Sequence, residues 1–421
     1  MRVATARPRN FDTRAAGVLV ACFVCQAGLG CGYVFAAVLK HVVADFEWSR
    51  TAFSMATVPL LLAMGVSAPL VGRAVERYGA RAVLTAAALL LAAALAAFAR
   101  VDSLASFYAA SFALGVALTG LGDVAVGAVA ARWAGRRRGL ALALVFCGSN
   151  AGGALVPLFS ETVAAQTSWR GAFAALAAVS LAVIVPVAAF GIREPEAAAG
   201  GSPAGTDGTD GAESPAAADG RALDLAEAAR TRSFWVLAAA LLAFYLYYLA
   251  VNQHLVAYLS DLGHSNARAA ASLGFAVALG IGAKIATGLA ADRVRARRAL
   301  VANFALVAAA SALLPFAAAP AALALFLVAH GVATAAENVL LPLAVIDCFG
   351  IEHMAKIYGA LMFTLFPGGV AGPVVASAAF DLAGDYRPAF VAFAALNVAA
   401  VCALAGLRDE RVGVARESSW I

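Results

Sequence analysis

Long apolar runs of twenty or more residues alternate with short charged turns along most of this chain. A helix rises about 1.5 Å per residue, so roughly 20 apolar residues cross a hydrocarbon core of about 30 Å. Twelve runs reach that length, at 15–42, 52–71, 80–99, 104–131, 139–163, 169–191, 233–258, 267–290, 298–318, 321–346, 355–380 and 388–407. The pattern predicts an all-α membrane protein with twelve transmembrane helices. The break between the sixth and seventh runs, REPEAAAGGSPAGTDGTDGAESPAAADG, is rich in Ala, Gly, Pro, Ser and Asp and has no apolar period. It reads as a flexible linker. LDLAEAARTRSFW follows, with Leu223, Leu225 and Ala229 near helical spacing, which predicts a short amphipathic helix on the membrane surface. The expected organisation is an N-terminal six-helix bundle over 1–192, a linker with that helix over 193–232, and a C-terminal six-helix bundle over 233–421.

Composition agrees: of 421 residues, 63% are hydrophobic and 13% charged, and the mean hydropathy is +0.86. A soluble globule is excluded. The basic residues set the orientation. With the N-terminus inside, 23 of the 30 Lys and Arg fall on the inner segments and six on the outer ones, while Lys284 lies inside the eighth run. This bias predicts cytoplasmic termini and linker. The net charge of +5 then follows from topology and points to no nucleic acid. The first run is too long for a signal-peptide core and reads as an uncleaved helix. All six cysteines fall within runs, as small hydrophobes; Cys22 and Cys25 have no further ligands for a metal or redox centre. No cofactor is indicated.

The two halves repeat. GRAVERYGARA (72–82) has a near copy, GLAADRVRARRA (288–299), and the shared offset of 216 also aligns Asp45 with Asp261, Ser49 with Ser265 and Arg81 with Arg297. WRGAF (169–173) meets YRPAF (386–390), and Gly139, Gly148 and Gly152 align with Gly359, Gly368 and Gly372. Two homologous bundles joined by a loose linker can rock about a central site. The repeated charged turn then sits at the inner mouth of each half, where Glu76 or Asp292 can pair with basic side chains or cap a helix N-terminus and so hold a gate.

These turns resemble a known signature. Gly72, Glu76, Arg77, Gly79 and Arg81 are similar to the G-x-x-x-[DE]-R-x-G-x-R turn of the major facilitator superfamily, with Glu76 in place of the usual Asp; Gly288, Asp292 and Arg293 form a twin lacking the second Gly. The resemblance implies gating roles for these eight residues. FEWSR (46–50), ARWAGRRRGLALAL (131–144), LAEAARTRSFW (225–235), HLVAYLSDLG (254–263) and VIDCFG (345–350) resemble its monocarboxylate and oxalate:formate branch. KIATG (284–288) is similar to that branch's Arg-x-x-x-Gly, whose cation holds the substrate carboxylate; the acid often found four residues earlier is Gly280 here.

A charge at the depth of Lys284 costs roughly 2.5–3.5 kcal/mol or more, so it needs a reason. One reading has its stem snorkel to the interface. The other has it face the cavity and bind an anion. Glu337 and Asp123, near the middle of runs ten and four, are candidates to carry a proton or pair with Lys284, with interhelical hydrogen bonding and helix capping as the structural alternatives. Tyr33, Asn150, Asn252, His254 and Asn338 are candidates for the substrate-binding wall, with a gate or orientation role equally open for His254. FYLYY (244–248) reads first as packing against lipid and neighbours, with a substrate platform as the alternative. Gly148, Gly152 and Gly153 predict close helix packing, and Pro157 and Pro367 predict bends.

The expected function is secondary active transport of small monocarboxylate anions by alternating access, coupled to protons. Anion exchange of the oxalate:formate type, or export of another small molecule, is the alternative. GSNAGG (148–153) resembles the GPxxGG of drug:proton antiporters, with Ser149 in place of its Pro. No G-x-x-x-x-G-K-[ST] is present, which argues against an ATP-driven pump, and no enzyme is indicated. The Ala-rich, Arg-over-Lys composition predicts a bacterial inner membrane, with the protein working as a monomer.

Overall fold

Apolar runs with so few charges can satisfy their backbone inside a membrane only as helices. The computed structural model describes residues 13–48, 52–53, 55–134, 137–193 and 221–411. Twelve helices there are long and apolar enough to cross a membrane: α1 (Thr13–Tyr33), α2 (Thr57–Tyr78), α3 (Ala80–Phe98), α4 (Leu104–Trp133), α5 (Arg138–Gln166), α6 (Trp169–Gly191), α7 (Arg232–Asp261), α8 (Ala271–Ala291), α9 (Ala296–Phe316), α10 (Pro320–Phe349), α11 (Met354–Ala383) and α12 (Arg387–Leu404). The twelve-helix expectation is met, and no strand occurs among the described residues. The linker stretch 194–220, the N-terminal residues 1–12, and Ser49 and Arg50 lie outside the described residues.

The first six helices pack mainly among themselves, through α1–α5, α2–α4, α3–α4 and α3–α6. The last six do the same through α7–α11, α8–α10, α9–α10 and α9–α12. The two groups meet chiefly along α2–α11 and α5–α8. Glycines set the tightest approach within the first group. A Cβ on Gly152 would overlap the Ala27 carbonyl, and one on Gly148 would overlap that of Phe23, so α1 and α5 touch backbone to backbone. Gly153 instead faces the Tyr33 ring.

Several helices are interrupted, and each break positions something. α1 tightens into a 3₁₀ turn at Gly28–Tyr33, and the chain then continues as a helix over Val34–Phe46. α4 breaks at Gly122, whose backbone is extended, and restarts at Asp123. α11 is helical over Met354–Met362 and Leu365–Ala383. That break at Phe363 and Thr364 begins four residues before Pro367, whose ring excludes the carbonyl one turn back. Pro157 sits inside the continuous helix of α5.

The amphipathic helix expected after the linker is a single turn, Leu225–Ala228. Asp224 and Glu227 close it reciprocally: Glu227 N donates to Asp224 Oδ1 at 2.8 Å, and Asp224 N donates to Glu227 Oε2 at 2.9 Å. Leu223 is fully buried, and its N–H donates to the Phe349 carbonyl at 2.9 Å. The turn therefore docks against the end of α10. It cannot lengthen because Thr231 already caps α7.

Candidate functional site

Between the two groups of helices lies a cavity of about 180 Å³. The first group contributes Met64, Leu118, Thr119 and Asp123; the second contributes Tyr245, Tyr248, Glu337 and Asn338. The break at Gly122 turns Asp123 into the first residue of a new helical segment, aimed at this seam. It is not a cap, since the segment begins without a side-chain cap bond. Its carboxylate instead accepts a short hydrogen bond from Gln26 Nε2 of α1 and one from Asn338 Nδ2 of α10 at 3.3 Å. The Asn338 bond spans the seam.

Lys284 of α8 also crosses the seam. It is 5% exposed, and its ammonium donates to Asn150 Oδ1 at 2.7 Å, the Phe146 carbonyl at 3.1 Å and Ser149 Oγ at 3.4 Å, all on α5. Lys284 therefore reaches sideways into α5 instead of running along α8 to the interface. It is absent from the cavity lining, which holds Asp123 and Glu337. Glu337 is 2% exposed, and its Oε1 has no hydrogen-bond partner. Buried Lys284 and Glu337 and half-buried Asp123 thus lie along the seam, and Glu337 Oε1 there has no donor.

The other wall candidates separate. Asn150 and Asn338 join the seam. Asn252 Nδ2 donates to the Tyr248 carbonyl one turn back in α7, at 3.0 Å. His254 Nε2 lies 3.2 Å from the Pro373 carbonyl and 3.3 Å from Ser377 Oγ, tying α7 to α11 away from the cavity. Tyr33 is 58% exposed and also stands off the cavity wall. FYLYY divides: Phe244, Tyr245 and Tyr248 line the cavity, while Tyr247 OH meets His330 Nδ1 at 2.8 Å in the core. Tyr245 and Tyr248 belong to the FYLYY platform alternative, whereas Gln26, Ser149 and Thr119 are not site candidates in the sequence. Gln26 is a lone amide in an apolar run, and that was its available signal.

At the end of the bundle that carries the repeated turns, the two groups close against each other twice. Glu76 of α2 lies 3.3 Å from Lys356 Nζ and 3.4 Å from His353 Nδ1, at the start of α11. Gly72 permits this approach, since a Cβ there would overlap the Ala355 carbonyl. The second closure has the same logic. Asp292 accepts from the amides of Gly139 at 2.7 Å and Leu140 at 3.2 Å, so its carboxylate sits on the N-terminus of α5. Gly288 and Gly139 meet backbone to backbone beside it. Gly79, at φ 82°, ends α2 in a conformation that disfavours a side chain. Arg77 lies over the Tyr78 ring at 5.2 Å, and Arg81 and Arg293 are exposed.

Solved structures with this arrangement are similar over nearly the whole chain. The human organic anion transporter TETRAN is 14% identical, with 94% of this chain and 100% of that one aligned and a TM-score of 0.68. The transporter FucP in the outward conformation is 15% identical over 94% and 99% of the two chains, with a TM-score of 0.70. The proton:xylose symporter XylE is 12% identical over 93% and 95%, with a TM-score of 0.68. No curated protein matches the sequence. The family model of the Major Facilitator Superfamily matches residues 18–324. Twelve apolar helices in this arrangement, with that match over most of their length, make the chain an integral membrane transport protein belonging to the Major Facilitator Superfamily.

Proposed function

We propose that the chain carries small monocarboxylate anions together with protons by alternating access. Residues 1–192 and 233–421 rock as two units about the central cavity, joined by the linker of 193–232. The observation that carries this reading is the set of ionisable groups along the seam, buried Lys284 and Glu337 with half-buried Asp123.

Charge counting supplies the mechanism. With one of the two carboxyls protonated, one ammonium and one carboxylate balance. Admitting a substrate carboxylate then adds one negative charge, which a proton on the second carboxyl cancels. One proton per anion keeps the loaded site neutral where desolvated charge is expensive. Lys284 is the receiving cation, because its present partners are oxygen acceptors that a carboxylate can replace. A dianion would leave one carboxylate unpaired against a single ammonium.

The closures at Glu76 and Asp292 hold the turn-bearing end shut while the opposite end admits substrate, and both release when the units rock. On this reading the turns and both termini lie in the cytoplasm of a bacterial cell, in keeping with the Lys and Arg bias, and the protein works as a monomer in the inner membrane.

One observation favours a second reading, a neutral hydroxylated substrate: the cavity wall holds both carboxyls, while Lys284 is engaged with α5. Uptake of labelled lactate, pyruvate, acetate, formate, oxalate and a neutral polyol into proteoliposomes, with and without an imposed pH gradient, separates the two. The proposal expects monocarboxylates to enter and compete with one another, faster as the outside is acidified, with oxalate poor. Tight oxalate binding, or uptake indifferent to the gradient, would overturn it. Transport of the polyol alone would establish the second reading.

A further inference from the structure

A second concavity, of about 490 Å³, opens on the outer flank of the bundle between α1 and α6. Gly17, Val20 and Val24 face Pro186, Val187 and Phe190, and every lining residue is apolar. Val20 is 63% and Phe190 73% exposed, so the walls look outward to lipid. The helices pinch together where a Cβ on Gly191 would clash with Ala21. They part near Gly17, where a Cβ would meet nothing within 4 Å. From Gly17 to Val24 the slot is about 10 Å deep at 1.5 Å per residue.

The mouth is basic. Arg14 precedes Gly17 by three positions on the same helical face, and Arg193 follows Gly191 by two. Both arginines are exposed. The chain leaving α6 is pinned there, because Trp133 Nε1 of α4 donates to the Arg193 carbonyl at 2.7 Å. An apolar slot with an exposed arginine within a turn of its lining on each wall matches one acyl chain followed by a phosphate, and arginine binds phosphate by paired N–H donors. We propose that the α1–α6 groove binds an anionic phospholipid, with an acyl chain in the slot and the headgroup between Arg14 and Arg193.

This site is separate from the central cavity, so it is tested without transport. The full-length protein is equilibrated with equal amounts of phosphatidylglycerol and phosphatidylcholine, and the lipids retained are read by native mass spectrometry. Phosphatidylglycerol should be enriched. R14Q/R193Q should lower that enrichment by roughly fivefold per arginine, and R14K/R193K should keep most of it. V20W, which fills the slot from an exposed position, should reduce retained lipid of both kinds. Enrichment unchanged in R14Q/R193Q, or lipid retention unchanged in V20W, would overturn the proposal. A lipid-free dimer dispersed by V20W would assign the groove to a second copy of the chain and overturn it equally.

Discussion

Replacing Lys284 by Ala tests the central site most directly. The ammonium donates to three oxygens of α5, at 2.7, 3.1 and 3.4 Å. A hydrogen bond to a charged group is worth about 1.5–3 kcal/mol. A substrate carboxylate that takes over this ammonium therefore loses about 3 kcal/mol in the Ala variant, roughly a hundredfold in affinity at about 1.4 kcal/mol per decade. On the proposed charge balance the deletion also leaves Asp123 and Glu337 with no cation, and an uncompensated buried charge costs about 3–5 kcal/mol. The assay is the concentration dependence of monocarboxylate uptake in proteoliposomes, paired with thermal unfolding in detergent. K284A should insert in the membrane, show half-saturation raised about a hundredfold and melt earlier. K284R should retain part of the activity, because the charge persists in a different shape. K284A/D123N restores the charge balance, so it should recover much of the melting temperature and none of the uptake. Wild-type half-saturation in K284A would refute the substrate role. Equal melting of K284A and K284A/D123N would refute the charge coupling.

Asp292→Ala removes the acceptor for two α5 amides; labelling of a reporter cysteine in the cavity from the turn-bearing side should rise roughly tenfold, since releasing such a contact shifts a two-state balance by about 1–2 kcal/mol. Glu76→Gln should act in the same direction while leaving intrinsic substrate affinity nearly unchanged, and normal accessibility in both variants would argue against a gate. Gly72→Val places a side chain against the Ala355 carbonyl, so the turn-bearing end should fail to close, and turnover should fall further than in Glu76→Gln. At the opposite end, hydrogen bonds from Arg170 and Trp169 hold the Asp45 carboxyl below the usual carboxylate range. A depressed native value stabilises above the unfolded value and is lost as pH falls through the native one, so D45N should flatten the decline in melting temperature below about pH 4.

The sequence alone determined what depends on local pattern. Period, run length and charge bias gave twelve helices, because a lipid-facing backbone must satisfy itself within each span. The glycine register at 148 and 152 announced close packing, and the repeated turn marked Glu76 and Asp292 as a matched pair. Boundaries and breaks were less legible. The turn at Leu225–Ala228 read as amphipathic because its apolar spacing is helical, yet the surface that buries Leu223 is the distant end of α10. The partners of the polar residues were decided only by tertiary structure. Asp123 and Asn338 are 215 positions apart, and Lys284 and Asn150 are 134 apart. His254 and Asn252 carry the same apparent promise as Asn150 in the sequence, but their side chains end on α11 and on α7's own backbone. A polar residue in an apolar helix must find a partner, and the sequence states that need. Which helix face supplies the partner depends on how twelve cylinders are rotated against one another, and that rotation is set by summed packing over the whole bundle, which no single stretch encodes.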